Sequence, residues 1–283
     1  MVERRPWLDA LSHLVLILGV LIIALPVYIT FVASTRSTSE IIHPPMPISI
    51  GSHMVENYQA ALSGEREGPG SKAAVGHMMT VSLVMALAIA IGKIAISLLS
   101  AFAIVYFRFP GRMLFFWAVF ITLMLPVEVR IGPTYQVVAD LGLLNSYAGL
   151  TIPLIASATA TFLFRQFFLT VPEELTEASR MDGASPMRFF IDVLLPLSRT
   201  NMAALGTIMF VWAWNQYLWP LLVTTDSAHG TAVTQLKELI PQTNGTPDWH
   251  TAMAGTLIVM LPPLVVVILM QRWFVRGLVA TEK

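Results

Sequence analysis

The sequence predicts an all-α membrane protein with six transmembrane helices, and three observations lead to this prediction. Of the 283 residues, 55% are hydrophobic and only 12% are charged, about half the charged fraction of an average soluble chain. Six windows are apolar over the roughly 20 residues that a helix needs to cross a bilayer. The Lys and Arg residues fall unequally on the two sides that six spans would define.

The six windows have the lengths of transmembrane helices and not of transmembrane β-strands, which would be about 10 residues with alternating polarity. They cover about residues 11–33, 78–107, 113–134, 147–168, 201–223 and 253–274. The first window is too long for the core of a signal peptide, so we expect it to remain as an uncleaved helix. Together the windows predict a single transmembrane domain over residues 1–283, with neither internal repeats nor broken helices.

The positions of the basic residues orient the chain. Six spans place both termini on one side, and 11 of the 17 Lys and Arg residues fall on that side. Five fall on the other side, and Lys93 lies inside the second window. Because cytoplasmic loops are enriched in Lys and Arg, we expect both termini to be cytoplasmic.

Several functions are excluded by residue types that the chain lacks. The balance of 17 basic and 17 acidic residues argues against nucleic-acid binding through bulk positive charge. The absence of cysteine excludes disulfides, a thiol nucleophile and thiolate metal sites. The six histidines form no His-x-x-x-His pair, and no Gly-x-x-x-x-Gly-Lys-Ser/Thr phosphate loop occurs. We therefore expect no catalytic residue, no metal and no cofactor on this chain.

Two loops carry local predictions. In the outward loop 34–77, Ser52 is expected to cap a short surface helix that continues to Leu62. In the inward loop 169–200, Pro172 and three glutamates predict a first helix that Gly183 ends. Ser185 and Pro186 then predict a second short helix, which we expect to run through Asp192 and to end before Pro196. Exposed apolar residues on this loop would either rest on the chain's own bundle or dock to a partner.

The inward loop carries a recognisable signature. Glu177-Ala178-Ser179, three residues, Gly183, nine residues and then Val193-x-Leu195-Pro196 resembles the EAA loop of ABC importer permeases. Ser179 replaces the second alanine and Val193 the usual isoleucine, and both exchanges are mild. The resemblance implies a type I permease fold whose loop couples to an ATPase. The residues expected to make that coupling are Glu177, Ala178, Ser179, Asp182, Gly183 and Ala184.

Other segments resemble the carbohydrate-type branch of these permeases. They are residues 100–103, 108–112 and 214–220. Three further segments are similar to the smaller permease subunits of sn-glycerol-3-phosphate importers. They are residues 123–130, 158–168 and 271–279.

The resemblance implies a set of partners in a bacterial inner membrane. A second permease would pair with this chain, and two copies of an ATPase subunit, carrying ATP and Mg²⁺, would bind on the cytoplasmic side. A periplasmic binding protein would deliver the substrate. The implied function is ATP-driven import of sn-glycerol-3-phosphate and glycerophosphodiesters, and the alternatives are import of sugars or oligosaccharides, or a stand-alone secondary transporter.

Charged and aromatic residues near membrane depth are candidates for the substrate pathway, because charges are costly there. Glu128 and Arg130 would contact the phosphate, or would form an ion pair at a span end. Lys93 would face the pore or the second permease, or would make a structural pair.

Span five adds three more pathway candidates: Trp214, Asn215 and Trp219. Trp219 and Pro220 are also compatible with an interfacial aromatic belt and a helix kink, and we favour that interpretation for them.

Overall fold

The computed structural model describes residues 6–64, 74–122, 127–239 and 248–279. Within these ranges the regular structure is helical and contains no strand, which confirms the all-α class. The α-helices are α1 (Pro6–Ser34), α2 (Thr38–Ile42), α3 (Met54–Ser63), α4 (Val75–Tyr106), α5 (Arg112–Ile121), α6 (Val127–Asp140), α7 (Tyr147–Thr151), α8 (Ala158–Phe168), α9 (Glu173–Met181), α10 (Pro186–Phe189), α11 (Leu195–Leu197), α12 (Arg199–Trp214), α13 (Leu218–Val223), α14 (Ala232–Gln235) and α15 (Trp249–Val279).

Helices occupy all six predicted windows. Among the described residues, three helices are long and apolar enough to cross a membrane alone, namely Trp7–Ser34, Val75–Tyr106 and Trp249–Gln271. The fourth window holds a bent pair, Tyr147–Leu154 and Ala158–Phe168, and the first helix of the fifth window, Arg199–Trp214, forms another with Pro186–Leu197 of the preceding loop. Each pair passes the same test only when its two members are taken together. The third window holds α5 and part of α6, and residues 123–126 between them lie outside the described residues, so its crossing as one span stays a prediction.

The expectation of unbroken helices is wrong at two places. In the fourth window Tyr147–Leu154 and Ala158–Phe168 meet at an angle of 48°, and in the fifth window the helix ends at Trp214 and resumes at Leu218. A further bend of 73°, between Pro186–Leu197 and Arg199–Trp214, lies where the preceding loop joins the fifth window. At the first break Ser157 leaves the helical conformation and caps α8, because its Oγ accepts a hydrogen bond from the amide of Ala160 at 3.2 Å. A serine in an apolar run gives little change in hydropathy, so the window analysis did not detect this cap.

The chain divides into two compact units, residues 1–77 with 235–261 and residues 78–234 with 262–283. In the first unit α1 exposes most of its Leu, Ile and Val side chains, as a helix in contact with lipid would. After α1, Arg36 is buried and donates hydrogen bonds from Nε and Nη2 to the carbonyl of Ser49. The predicted surface helix is present as α3, but it begins at Met54 with His53 and not Ser52 at its N-cap.

The second unit has a core of apolar side chains around α4. Its buried residues include Met85, Ile89, Phe164, Leu194 and Trp214. The helices approach closely here: a Cβ placed on Gly92 would lie 2.8 Å from Cγ2 of Ile155. This core supports both sites described below.

Candidate functional site

The inward loop forms two short helices, as the sequence predicts. Its first helix, α9, has Pro172 as N-cap and two glutamates, Glu173 and Glu174, in its first turn. All three glutamates were expected near the positive end of the helix dipole. Glu177, however, is the fifth helical residue and lies beyond the first turn. None of the residues of α9 is buried, and all but Thr176 and Ser179 are exposed.

Gly183 ends α9 in the way predicted for it. Its φ of +71° is the left-handed conformation that glycine adopts without steric cost. The amide of Gly183 donates to the carbonyl of Arg180, and the amide of Ala184 donates to that of Ser179, both at 3.0 Å. These two bonds form a Schellman motif, which satisfies carbonyls at the end of the helix. The motif fixes the direction in which the chain leaves α9.

The second helix of the loop is longer than expected. Ser185 caps it by accepting the amide of Arg188 at 3.3 Å, with Pro186 at its first position. The chain then continues through a π-helical turn, Phe190–Leu194, into α11. The expected end before Pro196 is therefore wrong, since the wider turn accommodates a proline that has no amide hydrogen to donate.

Aromatic side chains attach this loop to the bundle. The ring of Phe190 lies 4.9 Å from that of Phe102, and the ring of Phe189 lies 5.3 Å from that of Tyr106. Phe189 and Phe190 are buried, whereas Phe102 and Tyr106 belong to the end of α4. The loop is thus joined to the longest helix of the unit through packed rings. The sequence analysis did not identify this attachment.

The outer face of the loop is apolar and uncovered within the chain. Met181 is 88% exposed, and Leu175, Met187 and Ile191 are exposed as well. Of the predicted coupling residues, Glu177, Ala178, Asp182 and Gly183 are exposed, and Ser179 and Ala184 are half-buried. The structure therefore brings all six together on one loop beside an exposed apolar face.

A second feature of the same unit is a cavity of about 390 Å³ between helices. Lys93 lines it although the residue is only 6% exposed, and its Nζ lies 3.4 Å from the centre of the Trp212 ring. Arg130 also lines the cavity. Among the described residues, neither cation makes an ion pair with a carboxylate. The structural pair considered for Lys93 is thus not found in the described part of the chain.

The N-terminus of α8 forms another wall of this cavity. Ser157, Ala158 and Thr159 all line it. The side chain of Ser157 satisfies the amide of Ala160, and its carbonyl satisfies that of Thr161. In the described structure the amides of Ala158 and Thr159 have no partner, as is usual for the first residues of a helix. Two cationic residues and the first residues of a helix therefore line one cavity.

The three pathway candidates of span five are placed differently from one another. Asn215 is exposed and lines an open groove of about 420 Å³ with Trp212 and Gln216. Trp214 and Trp219 are only 1% and 3% exposed, and Trp219 Nε1 donates to the carbonyl of Gly149 at 3.1 Å. Both tryptophans thus pack inside the unit, which does not fit an exposed interfacial belt for Trp219. Their role in a pathway stays a prediction.

The kink predicted near Pro220 has a different position. The helix of span five ends at Trp214 and resumes at Leu218. The break therefore precedes Pro220 and coincides with Asn215. The side chain of Glu128 lies outside the described residues, and so its expected contact with Arg130 stays untested.

The segment after α13 is held by side chains. The Oδ1 atom of Asn145 accepts the amide of Thr225 at 2.7 Å. Asp226 accepts both the amide and the ring Nδ1 of His229. Burial raises the pKa of the Asp226 carboxyl, but these hydrogen bonds outweigh it and hold the pKa below its ordinary value. The segment is thus ordered around two side-chain caps.

No group of three or more His, Asp or Glu residues that would hold a metal ion occurs among the described residues. A helical bundle of membrane length, with a cationic cavity and an exposed coupling-type loop, defines the class of a transport permease. Residues 93–279 match the model of the family described as binding-protein-dependent transport system inner membrane component. The chain belongs to this family of inner-membrane permeases.

Curated relatives support the family assignment over the whole chain. The chain is similar to the sn-glycerol-3-phosphate transport system permease protein UgpE of Rhizobium meliloti (strain 1021), with 56% identity over 287 residues and 100% of both chains covered. The proteins of the same name from Agrobacterium fabrum and Pectobacterium atrosepticum are also 56% identical over their full lengths. The resemblance seen in the sequence is confirmed.

A solved structure supports the fold. A bacterial ABC transporter involved in the import of the acidic polysaccharide alginate contains a chain that matches with a TM-score of 0.81 at 18% identity. The match covers 97% of this chain and 99% of that chain. The type I importer permease fold expected from the inward loop is therefore present.

Proposed function

We propose that this chain is a permease subunit of an ATP-driven importer of sn-glycerol-3-phosphate, and that glycerophosphodiesters are further substrates. The observation that carries the proposal is the 54–56% identity to UgpE proteins over the full length of both chains. The matched length includes both the inward loop and the cavity-lining helices. Membership in a binding-protein-dependent family argues against a stand-alone transporter.

The inward loop is the proposed contact with the ATPase. Its exposed apolar side chains, among them Met181, would be covered by a cleft in that subunit. Glu177 and Asp182 would pair with basic groups there, and Ala178 and Ala184 would permit close approach. Because Phe189 and Phe190 are packed on α4, movement of the loop would be passed to the bundle. ATP and Mg²⁺ would be bound by the partner, and this chain would remain non-catalytic.

The proposed assembly contains a second permease, two ATPase subunits and a periplasmic binding protein. Both termini and the inward loop would be cytoplasmic, as the distribution of Lys and Arg indicates. The cavity lined by Arg130 and the groove lined by Asn215 share Ile208 and Trp212. Together they would form part of the substrate pathway, with Glu128 at its outer end and Trp214 and Trp219 supporting it from the core.

Reconstitution of the complete assembly tests this proposal. The chain is co-expressed with its partner permease and ATPase, purified through a tag on this chain, and placed in liposomes with the binding protein outside. We expect sn-glycerol-3-phosphate uptake that requires both ATP and the binding protein. Omission of the binding protein is the matched control. Uptake by the chain alone would contradict the proposed assembly, and uptake of sugars without glycerol phosphate would contradict the proposed substrate.

A further inference from the structure

The cavity beside Lys93 has the properties of an anion site. Lys93 is a buried cation whose ammonium group rests on the face of Trp212. An indole ring orients an ammonium group by a cation–π interaction but does not neutralise its charge. Among the described side chains no carboxylate pairs with Lys93, and a cation at membrane depth is costly and marks a paired site or a substrate pathway. The cavity into which it points is open to a charged ligand.

The end of α8 adds donors to the same space. A helix N-terminus carries free amides and the positive end of the helix dipole, and the two together bind anions. Here α8 begins inside a bent pair of helices, and its first residues, Ala158 and Thr159, line the same cavity as Lys93 and Arg130. Two side-chain cations and a helix N-terminus thus converge on one volume. Broken helices in transporters present their N-termini to anionic substrate groups in the same way.

The size and the remaining polarity of the cavity restrict the ligand. A volume of about 390 Å³ lies at the small end of the range for ligand sites, roughly 300–1,000 Å³. The hydroxyl groups of Ser157 and Thr159 are at its wall, and Leu154, Ile208 and Met209 provide apolar surface. A small phosphate ester with hydroxyl groups fits these requirements better than a neutral oligosaccharide does.

We propose that Lys93, Arg130 and the N-terminus of α8 form a phosphate-binding site within the transport pathway of this chain. The inference rests on the proposed function, because it assigns the phosphate group of that substrate to a location. It also gives this subunit a direct part in selecting the substrate, in addition to the binding protein. Trp212 acts as a positioning residue that holds the Lys93 ammonium group toward the cavity.

The test compares Lys93→Met and Lys93→Arg in the complete reconstituted assembly, with the same binding protein throughout. Loss of one charge-assisted contact lowers kcat/KM for sn-glycerol-3-phosphate by about tenfold or more. Lys93→Arg retains the charge and is expected to stay within about threefold of wild type. Arg112→Gln removes a positive charge outside the cavity and is the matched control, expected to have no effect.

The pH dependence separates phosphate binding from a structural role. A phosphate monoester has a second pKa near 6, so uptake is measured at pH 5.5 and pH 7.5 and divided by the wild-type rate at each pH. We expect the loss in Lys93→Met to be greater at pH 7.5, where the substrate is a dianion. An equal loss at both values, or no loss, would overturn the proposed site.

Two further results keep the inference separable from misfolding and from the proposed function. Assembly and basal ATP hydrolysis are measured for every variant. If Lys93→Met does not assemble, Arg130→Gln carries the test, because Arg130 is exposed; a loss greater at pH 7.5 supports the site, and any other result overturns it. If the wild-type assembly does not import sn-glycerol-3-phosphate, the proposed function fails; if it does and Lys93→Met matches it, only the phosphate site fails.

Discussion

At the scale of single residues, Gly183 is the position where backbone conformation and coupling meet. Its φ is +71°, and an added Cβ would have nothing within 4 Å. Gly183→Ala is therefore destabilised only by the left-handed backbone conformation, by about 1–2 kcal/mol. Proline is fixed near a φ of −65° and has no amide for the carbonyl of Arg180. We expect Gly183→Ala to keep most uptake and Gly183→Pro to hydrolyse ATP without uptake, measured together in liposomes.

Gly142 provides the matched control for this prediction. It has a φ of +66°, has nothing within 4 Å of an added Cβ, and donates its amide to the carbonyl three residues earlier. It lies after α6 and not in the inward loop. Gly142→Pro therefore imposes the same backbone change at a different place. If it uncouples ATP hydrolysis from uptake as strongly as Gly183→Pro does, the loop has no special part in coupling.

Trp212 and Trp214 show why some site residues were found in the sequence and others were not. The segment 214–220 stood out as a motif, yet Trp214 is in the core while Trp212 lines both cavities. Residues two positions apart on an α-helix are separated by about 200° around its axis, so the rings of Trp212 and Trp214 point in nearly opposite directions. In an apolar helix both faces have similar hydropathy. Only the packing of the neighbouring helices decides which ring meets a cavity.

At the scale of elements, the aromatic attachment of the inward loop is the part most directly testable. Phe190→Ala removes a buried ring 4.9 Å from Phe102, and such truncations cost about 3–5 kcal/mol. We expect the purified complex to unfold at a lower temperature and to import less per ATP hydrolysed. Thermal unfolding and uptake in the same preparation measure both effects.

Phe115 on α5 is the control for this substitution. Its ring is 61% exposed and contacts only Phe109, at 6.1 Å, among the described aromatic pairs. Phe115→Ala is expected to leave both the unfolding temperature and the coupling ratio near wild type. Equal effects in the two variants would mean that general loss of aromatic surface, and not attachment of the loop, explains the result.

Some ends and breaks of the helices could be predicted from the sequence, and others could not. Gly183 and Ser185 were assigned from the sequence because a helix stop and a cap are local. The breaks at Ser157 and Asn215 were not assigned, since a polar residue in an apolar run is compatible with a continuous helix. Tertiary contacts decide such cases: the carbonyl of Gly149, before the first break, accepts the indole of Trp219, after the second.

At the scale of the whole molecule, the distribution of Lys and Arg predicts which side of the membrane each loop faces. Because the chain has no cysteine, a single introduced thiol reports the side of the membrane on which it lies. Ser227 is in the segment after α13, which the distribution of Lys and Arg predicts to face outward, and Met181 is at the end of α9; both are exposed. We expect an impermeant maleimide to label Ser227→Cys in intact spheroplasts, and Met181→Cys only after the membrane is permeabilised.

The same two variants then test what covers the inward loop. In permeabilised membranes, co-expression of the ATPase subunit should reduce labelling of Met181→Cys, because the apolar face around it becomes buried, and should leave Ser227→Cys unchanged. Labelling of Met181→Cys from outside would reverse the orientation derived from the Lys and Arg distribution. Unchanged labelling in the presence of a co-purifying ATPase would keep the orientation but place the contact elsewhere, so topology and coupling are tested independently of each other.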